Sequence, residues 1–280
     1  MKINELYQQI SLLLQKSFID NPKNEAAILI CFVLNIEKKD FILLQNERQL
    51  TNKQIKQVTK LAKERLKGRS IAELINKKDF YDLEFFVTKD VLIPRPETEL
   101  LIELTLPLFK KDQEIDILEI GVGSGAISLV LATKFINAKI DAIDISKKAL
   151  SITKINIIKN NIQIDKINLI KSDFFKFSPK KQYDLIISNP PYIPQKEVEN
   201  LIKNKIVSDP KIALAGGKDG LVFYKKLKEF GLKFLKSSGF IVFEHGIGQR
   251  EDIKNIFGND FKIECFDDLA GIDRAFVIQK

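Results

Sequence analysis

From Ile115 onward, short apolar runs alternate with longer stretches of helical character, and this alternation restricts the fold more than any other feature of the chain. Strands are expected near 115–120, 138–145, 166–171, 183–188 and 238–244, with helices near 124–136, 146–160, 219–236 and 247–257. Strand, helix and strand in succession make a parallel sheet, because the helix carries the chain back to the edge it left. The tail breaks the pattern: 261–267 and 273–279 both read as strands, joined by a short turn at Ala270-Gly271. Two consecutive strands imply an antiparallel edge strand on an otherwise parallel sheet. The expected fold class is α/β, a mostly parallel seven-stranded Rossmann-like sheet with an antiparallel edge strand.

The chain ahead of this region has another period. Residues 3–19 place Ile3, Leu6, Ile10, Leu13, Leu14 and Phe18 at helical spacing. Asn21-Pro22 supplies an N-cap and a first helical residue for a second helix through about Asn35. A short helix around 38–46 follows, and Thr51 to Gln54 reads as a capping box for a helix ending near Gly68. These amphipathic stripes describe a small helical bundle with no chemistry of its own. Between Asp79 and Ile93 strand formers indicate a hairpin. Then come Pro94-Arg95-Pro96-Glu97-Thr98-Glu99 and a helical run through about Phe109. A rigid linker and helix start accounts for the two prolines but not for the charged cluster around them. The domains expected are residues 1–76, helical; 77–95, a hairpin linker; and 96–280, the α/β domain.

Composition excludes several classes. Cys31 and Cys265 lie far apart in apolar runs and are expected to be small buried hydrophobes in a reducing compartment rather than a disulfide or metal pair. His245 is the one histidine, which leaves no Cys/His metal constellation and no Ser-His-Asp triad. The net charge of +8 rides on abundant Lys beside abundant Ile and Asn, a pattern of coding bias, so stable nucleic-acid binding is not expected. No signal pattern opens the chain, and no stretch approaches the roughly 18 apolar residues of a spanning helix. A soluble, cytoplasmic monomer without membrane association is the expectation.

The residues that carry chemistry fall at the ends of successive strands. Glu119 and Ile120 lead into Gly121-Val122-Gly123-Ser124-Gly125-Ala126, a turn whose glycines let a ligand approach the backbone. Gly121, Gly123 and Ala126 satisfy a dinucleotide fingerprint; an acid followed by three alternating glycines equally fits the turn that holds S-adenosylmethionine. Asp144 closes the second strand, about twenty residues on, where a carboxylate accepts both hydroxyls of a ribose in either cofactor. The competing role for Asp144 is a helix cap. Asp173 and Phe174 follow the third strand and can receive an adenine by hydrogen bonding and stacking. Asn189-Pro190-Pro191-Tyr192 follows the fourth, the buried run Tyr183 to Ser188. The prolines hold this loop extended. Asn189 and the Pro190 carbonyl can then grip a planar NH2 group, with the Tyr192 ring against its face. Hydride transfer usually needs a proton relay, commonly His, Lys or Tyr, and the one histidine lies elsewhere, so a dehydrogenase fits this fourth position poorly. Methyl transfer to an NH2 group needs alignment and hydrogen-bond acceptors, which it has.

With that loop joined to the glycine turn, the chain resembles class I methyltransferases that modify planar nitrogens. It is most similar to the peptide chain release factor N5-glutamine methyltransferases. The similarity runs through Gly68 to Leu74, Leu92 to Glu99, Leu118 to Ala126, Ser172 to Phe175 and Ile187 to Ile193. It extends over Asp209-Pro210, Ala213-Leu214, Gly217 to Leu221, Glu244-His245-Gly246 and Asp268 to Gly271. The resemblance implies methyl transfer from S-adenosylmethionine to the glutamine amide of the Gly-Gly-Gln loop in release factors. It implies that Glu119, Gly121, Val122, Gly123, Ser124, Gly125, Asp144, Asp173, Phe174 and Asn189 hold the cofactor. Asn189, Pro190, Pro191 and Tyr192 would hold the glutamine, and the N-terminal bundle would dock the release factor. Three positions depart within their side-chain class: Glu119 where Asp is common, Phe174 where Trp is frequent, and Asp209 where Glu is usual. Arg95 is a candidate for the cofactor carboxylate or the release factor, and His245 reads as structural. The nearest rival is a nucleic-acid methyltransferase acting on adenine or cytosine amino groups. It would call for a basic or target-recognition module, whereas the first 75 residues mix acids, amides and apolar stripes without stacking platforms.

Overall fold

In the computed structural model, which describes residues 1–16, 19–204 and 207–280, the chain separates into residues 1–76 with 202–208 and residues 77–201 with 209–280. The first unit holds α1 (Ile3–Gln15), α2 (Pro22–Leu34), α3 (Lys38–Leu44), α4 (Asn52–Arg65) and α5 (Ile71–Ile75). The helix starts follow from local chemistry. Asn21 accepts the Asn24 amide at 3.2 Å with Pro22 in the first turn. Thr51 and Gln54 exchange side-chain-to-backbone bonds of 3.3 and 2.9 Å across the start of α4. Ile3, Leu6, Ile10 and Leu14 of α1 join Leu29 and Ile30 of α2 and Val58 of α4 in one buried core. Phe18, on the same expected stripe, lies outside the described residues. The single turn of α5, capped by Ser70 at 3.2 Å from the Glu73 amide, is too short to show a period in the sequence.

The second unit opens with an antiparallel hairpin of β1 (Lys78–Phe80) and β2 (Leu83–Phe85), then α6 (Glu99–Thr105). The α/β alternation follows: β3 (Ile115–Ile120), α7 (Ala126–Lys134), β4 (Ala138–Asp144), α8 (Lys147–Lys159), β5 (Ile167–Lys171) and β6 (Tyr183–Ser188). Two short helices, α9 (Gln195–Lys203) and α10 (Lys211–Leu214), precede α11 (Val222–Phe234), β7 (Leu235–Glu244), α12 (Arg250–Phe257), β8 (Lys262–Asp267) and β9 (Asp273–Gln279). The seven-stranded sheet has the order β5-β4-β3-β6-β7-β9-β8. The chain moves one way from β3 and then returns to the other side of it, so the crevice beyond the carboxyl ends of β3 and β6 is a switch point where ligands bind.

One refinement concerns the tail. β9 is the antiparallel strand, and it pairs with β7 on one side and β8 on the other. The edge strand is β8, which runs with the parallel majority. The turn between β8 and β9 forces a hairpin, and the more apolar member of that hairpin takes the inner place: Ala275, Phe276, Val277 and Ile278 are all buried. Phe243 of β7 packs against Phe257 of α12 and Phe276 of β9, with ring centres 5.6 and 5.5 Å apart. Cys31 and Cys265 are free thiols, each partly exposed rather than buried as their apolar runs suggest. Among the described residues no helix is long and apolar enough to cross a membrane.

Asn156 of α8, fully buried, ties the hairpin region to the glycine turn. Its carboxamide accepts the Phe86 amide at 2.7 Å and donates to the carbonyls of Phe86 and Ser124 at 3.0 and 2.8 Å. Replacing it with an apolar residue strands the buried Ser124 carbonyl and two partly buried backbone groups of Phe86, and a buried unsatisfied group costs roughly 1–3 kcal/mol. Asn156→Leu is expected to lower the thermal midpoint by several degrees and to raise exchange of the Phe86 amide in hydrogen-exchange measurements. An unchanged midpoint would remove Asn156 from this account.

Candidate active site

The loops that follow β3, β4, β5 and β6 enclose a cavity of about 380 Å³, within the range of small-ligand sites. Gly121 and Gly123 line it, both with positive φ (77° and 56°). A Cβ on either would meet almost nothing in the protein, so a side chain there would fill space open to a ligand. Gly125 serves differently: a Cβ on it would come within 2.7 Å of Leu129 and Thr153, so its glycine lets α7 pack against α8. The turn is held from the next strand. The Gly121 and Val122 amides bond the Ile143 carbonyl at 2.9 and 3.0 Å, and Asp144 accepts the Gly123 amide at 3.0 Å. Asp144 also takes the Ser146 amide at 2.8 Å, while Ser146, not Asp144, caps α8. Burial pushes the Asp144 carboxyl up, against the pull of these backbone hydrogen bonds.

Beyond Asp144 the cavity is aromatic and acidic. Asp173 accepts the Phe175 amide at 3.0 Å. Phe174, Phe175 and Phe223 form the wall beside it, with Phe175 and Phe223 edge to face at 5.1 Å. Three lining residues are acids, Asp90, Asp144 and Asp173, and none is Lys or Arg, with Asp90 paired at 2.8 Å to Lys148 from outside the lining. A cationic ligand suits such a wall; a pyrophosphate finds no side-chain cation in it.

Asn189 and Pro191 close the cavity at the end of β6. Asn189 donates both carboxamide hydrogens, to Thr98 Oγ1 and to Glu244 Oε2, each at 2.9 Å. Its oxygen has no partner among the described residues. Thr98 itself donates to Glu244 Oε2 at 2.6 Å, and the Tyr192 hydroxyl donates to Glu244 Oε1 at 3.1 Å. Burial pushes the Glu244 carboxyl up, opposed by the bonds from Thr98 and Tyr192. Burial and the adjacent carboxylate push the Tyr192 hydroxyl well above its ordinary value, so the ring is neutral. The loop is gripped from outside as well. Gln249 donates to the Tyr192 carbonyl at 3.0 Å, and Ile193 pairs with the Leu214 carbonyl and the Gly216 amide at 3.0 and 2.8 Å. A Cβ on Gly216 would lie 2.7 Å from the Pro191 carbonyl oxygen, so only glycine permits that approach.

The charged cluster after Pro94 now has a purpose. Arg95 pairs with the nearly buried Asp209 at 2.6 Å, and Asp209 also accepts the Ile93 amide at 3.1 Å. Glu99 accepts the Tyr81 amide at 2.8 Å, and Thr98 reaches Glu244. Arg95 therefore joins the 90–92 wall of the cavity to the segment carrying Pro210, Ile212 and Ala213.

The cavity brings together Gly121, Gly123, Asp144, Asp173, Phe174, Asn189 and Pro191, whereas Glu119, Val122, Ser124, Gly125, Pro190 and Tyr192 lie outside its lining. Glu119 is buried beneath the turn, where its carboxyl takes both the amide and the hydroxyl of Ser128 in α7. His245 is fully buried, with Nδ1 at 2.9 Å from the Gly246 carbonyl and its ring against Phe276 at 4.9 Å. Burial pushes its imidazole down, so it is a neutral packing group. Sequence reading missed Phe223, whose signal is indistinguishable from a helical core position. It also missed Thr98 and Glu244, whose partners are distant in sequence.

A family model described as methyltransferase small domain matches residues 97–259, and one described as PrmC N-terminal domain matches residues 5–75. A release factor glutamine methyltransferase from Coxiella burnetii is 36% identical, over 92% of this chain and 92% of that protein. One from Bacillus cereus is 33% identical, over 98% of each. A solved methyltransferase from Pyrococcus furiosus shares the fold, with a TM-score of 0.54 at 19% identity over 79% of this chain and 98% of that one.

Glu119 yields a test of the turn's foundation. Burial raises its carboxyl from 4.5 to about 8. The folded chain keeps this proton where the unfolded chain has lost it, so the stability it contributes at low pH is lost as pH rises from about 4.5 to about 8. Glu119→Gln keeps an acceptor for Ser128 and removes the titration. Its thermal midpoint should gain on the wild type between pH 5 and pH 8, by about 3 °C or more. Parallel pH profiles for the two proteins would contradict this assignment.

Proposed function

The chain belongs to the release factor glutamine methyltransferase family, and from that membership we propose that it methylates the side-chain amide nitrogen of the glutamine in the Gly-Gly-Gln loop of peptide chain release factors, with S-adenosylmethionine as donor. The observation that carries the reading is the Asn189 carboxamide, whose hydrogens are both engaged within the protein and whose oxygen is left to a ligand at the cavity edge. Two features support the donor: the glycine backbone open to the cavity and the acidic, cation-free lining. When bound, S-adenosylmethionine supplies a methyl group already activated on a sulfonium.

The chain's own residues supply binding and alignment. Gly121 and Gly123 admit the donor against the backbone, Asp144 is placed for its ribose, and Asp173 with Phe174 and Phe175 for its adenine. The Asn189 oxygen and the Pro190 carbonyl accept the two hydrogens of the glutamine amide and hold its nitrogen facing the cavity. The neutral Tyr192 ring confines the planar group from the side. These acceptors strengthen as the nitrogen turns pyramidal and gains positive charge, which is where a fixed dipole lowers a barrier most. Once methylated, the nitrogen sheds a proton readily, so the buried neutral His245 is not needed as a base. The helical residues 1–76 dock the body of the release factor. Such a substrate places the enzyme in the cytoplasm.

Incubation with S-adenosylmethionine and a purified release factor is expected to add one methyl group, localised by fragment mass spectrometry to the Gly-Gly-Gln glutamine. Label in RNA or DNA with that glutamine unmodified would contradict the reading. Asn189→Ala should bind the donor as the wild type does, by calorimetry, while losing about 10²-fold in methyl transfer. Undiminished turnover in this variant would reject the cradle.

A further inference from the structure

A carboxamide is nearly symmetric in shape, so packing alone does not choose between its two flips. With its oxygen outward, Asn189 accepts a hydrogen from a bound NH2 group; with its NH2 outward, it opposes that group donor to donor. The choice is made behind it. Nδ2 lies 2.9 Å from both Thr98 Oγ1 and Glu244 Oε2. The Thr98 hydroxyl hydrogen is spent on the same Glu244 oxygen at 2.6 Å, so Thr98 offers Asn189 only a lone pair. In the opposite flip, Oδ1 would face two acceptors at once. Glu244 is 2% exposed, so water cannot readily replace either partner. Its other oxygen holds the Tyr192 hydroxyl at 3.1 Å.

We propose that Thr98 and Glu244 are positioning residues that lock the Asn189 carboxamide with its oxygen toward the methyl acceptor, and so commit the site to a planar NH2 group. Neither residue touches the acceptor. Thr98 reaches Asn189 directly, and Glu244 acts on it both directly and by turning the Thr98 hydroxyl. The inference rests on the glutamine reading of the acceptor. It also explains why the segment after Pro94, remote in sequence from the loop at 189–192, belongs to the same site.

Thr98→Val keeps the shape and removes the hydroxyl, and Thr98→Ser restores the hydroxyl. The first readout is the side-chain amide of Asn189 in nitrogen–hydrogen correlation spectra, identified by its loss in Asn189→Ala. In the wild type its two hydrogens should be resolved and slow to exchange with solvent. Thr98→Val should speed their exchange about 10-fold, the factor that one hydrogen bond of ordinary strength sets. The second readout is turnover: kcat on the release factor should fall about 10-fold in Thr98→Val, with the KM for S-adenosylmethionine within about twofold. Thr98→Ser should recover most of both. Wild-type exchange and kcat in Thr98→Val would overturn the proposal, and so would equal losses in Thr98→Val and Thr98→Ser that follow their thermal midpoints. If the wild type leaves the glutamine unmodified, the functional reading fails, while the spectra still decide whether Thr98 locks the carboxamide.

Discussion

The Glu244 carboxylate, buried at the carboxyl end of β7, is the interaction on which the acceptor end of the molecule depends. Its two oxygens receive three donors, from Thr98, Asn189 and Tyr192. Burying a carboxyl is expensive unless its lone pairs are satisfied, and here the donors come from two separate stretches of chain, Thr98 from the segment after Pro94 and Asn189 and Tyr192 from the loop after β6. One satisfied group therefore fixes three others: the helix start after Pro96, the carboxamide after β6, and the ring that flanks it. The order of the sheet makes this possible, because β6 and β7 are parallel neighbours and their carboxyl ends emerge side by side.

The donor end is built independently and on the same plan. Asp144, at the end of β4, stabilises the glycine turn at the end of β3 through the Gly123 amide. Ser188, at the end of β6, bonds the Ile120 carbonyl at 2.8 Å and ties the two ends together across the switch point. In the proposed reaction the acidic wall would face the donor, and the Asn189 oxygen and the Pro190 carbonyl would face the methyl acceptor. That division matches a reaction in which the protein contributes geometry and electrostatics rather than a nucleophile or a base.

How much of this was legible in the sequence depends on how local each signal is. The strands at 115–120, 183–188 and 273–279 and the capping box at Thr51 rest on neighbours within a few residues, and they stand where periodicity and capping chemistry put them. Gly121, Gly123, Asp144, Asp173 and Asn189 were legible because strand ends in a parallel sheet converge on one edge, and the cavity does gather them. Glu119 was singled out on the same grounds, and its carboxyl lies under the turn on Ser128, outside the cavity lining. The placing of β9 inside β8 needed knowledge of which hairpin strand is more apolar on both faces. The roles of Thr98 and Arg95 were illegible because they are defined by Glu244 and Asp209, more than a hundred residues away. The prolines around them announced rigidity, and only the fold says what that rigidity serves.

In the proposed mechanism a glutamine amide sits between the Asn189 oxygen and the Pro190 carbonyl, with Asn189 turned by Glu244 and Thr98. The most direct measurement is a crystal structure of the enzyme with S-adenosylhomocysteine and a release factor domain. The glutamine nitrogen is expected about 3 Å from both oxygens, with the Asn189 NH2 still on Thr98 and Glu244 and the nitrogen facing the sulfur. A glutamine bound elsewhere, or an Asn189 carboxamide with its NH2 toward the substrate, would contradict it.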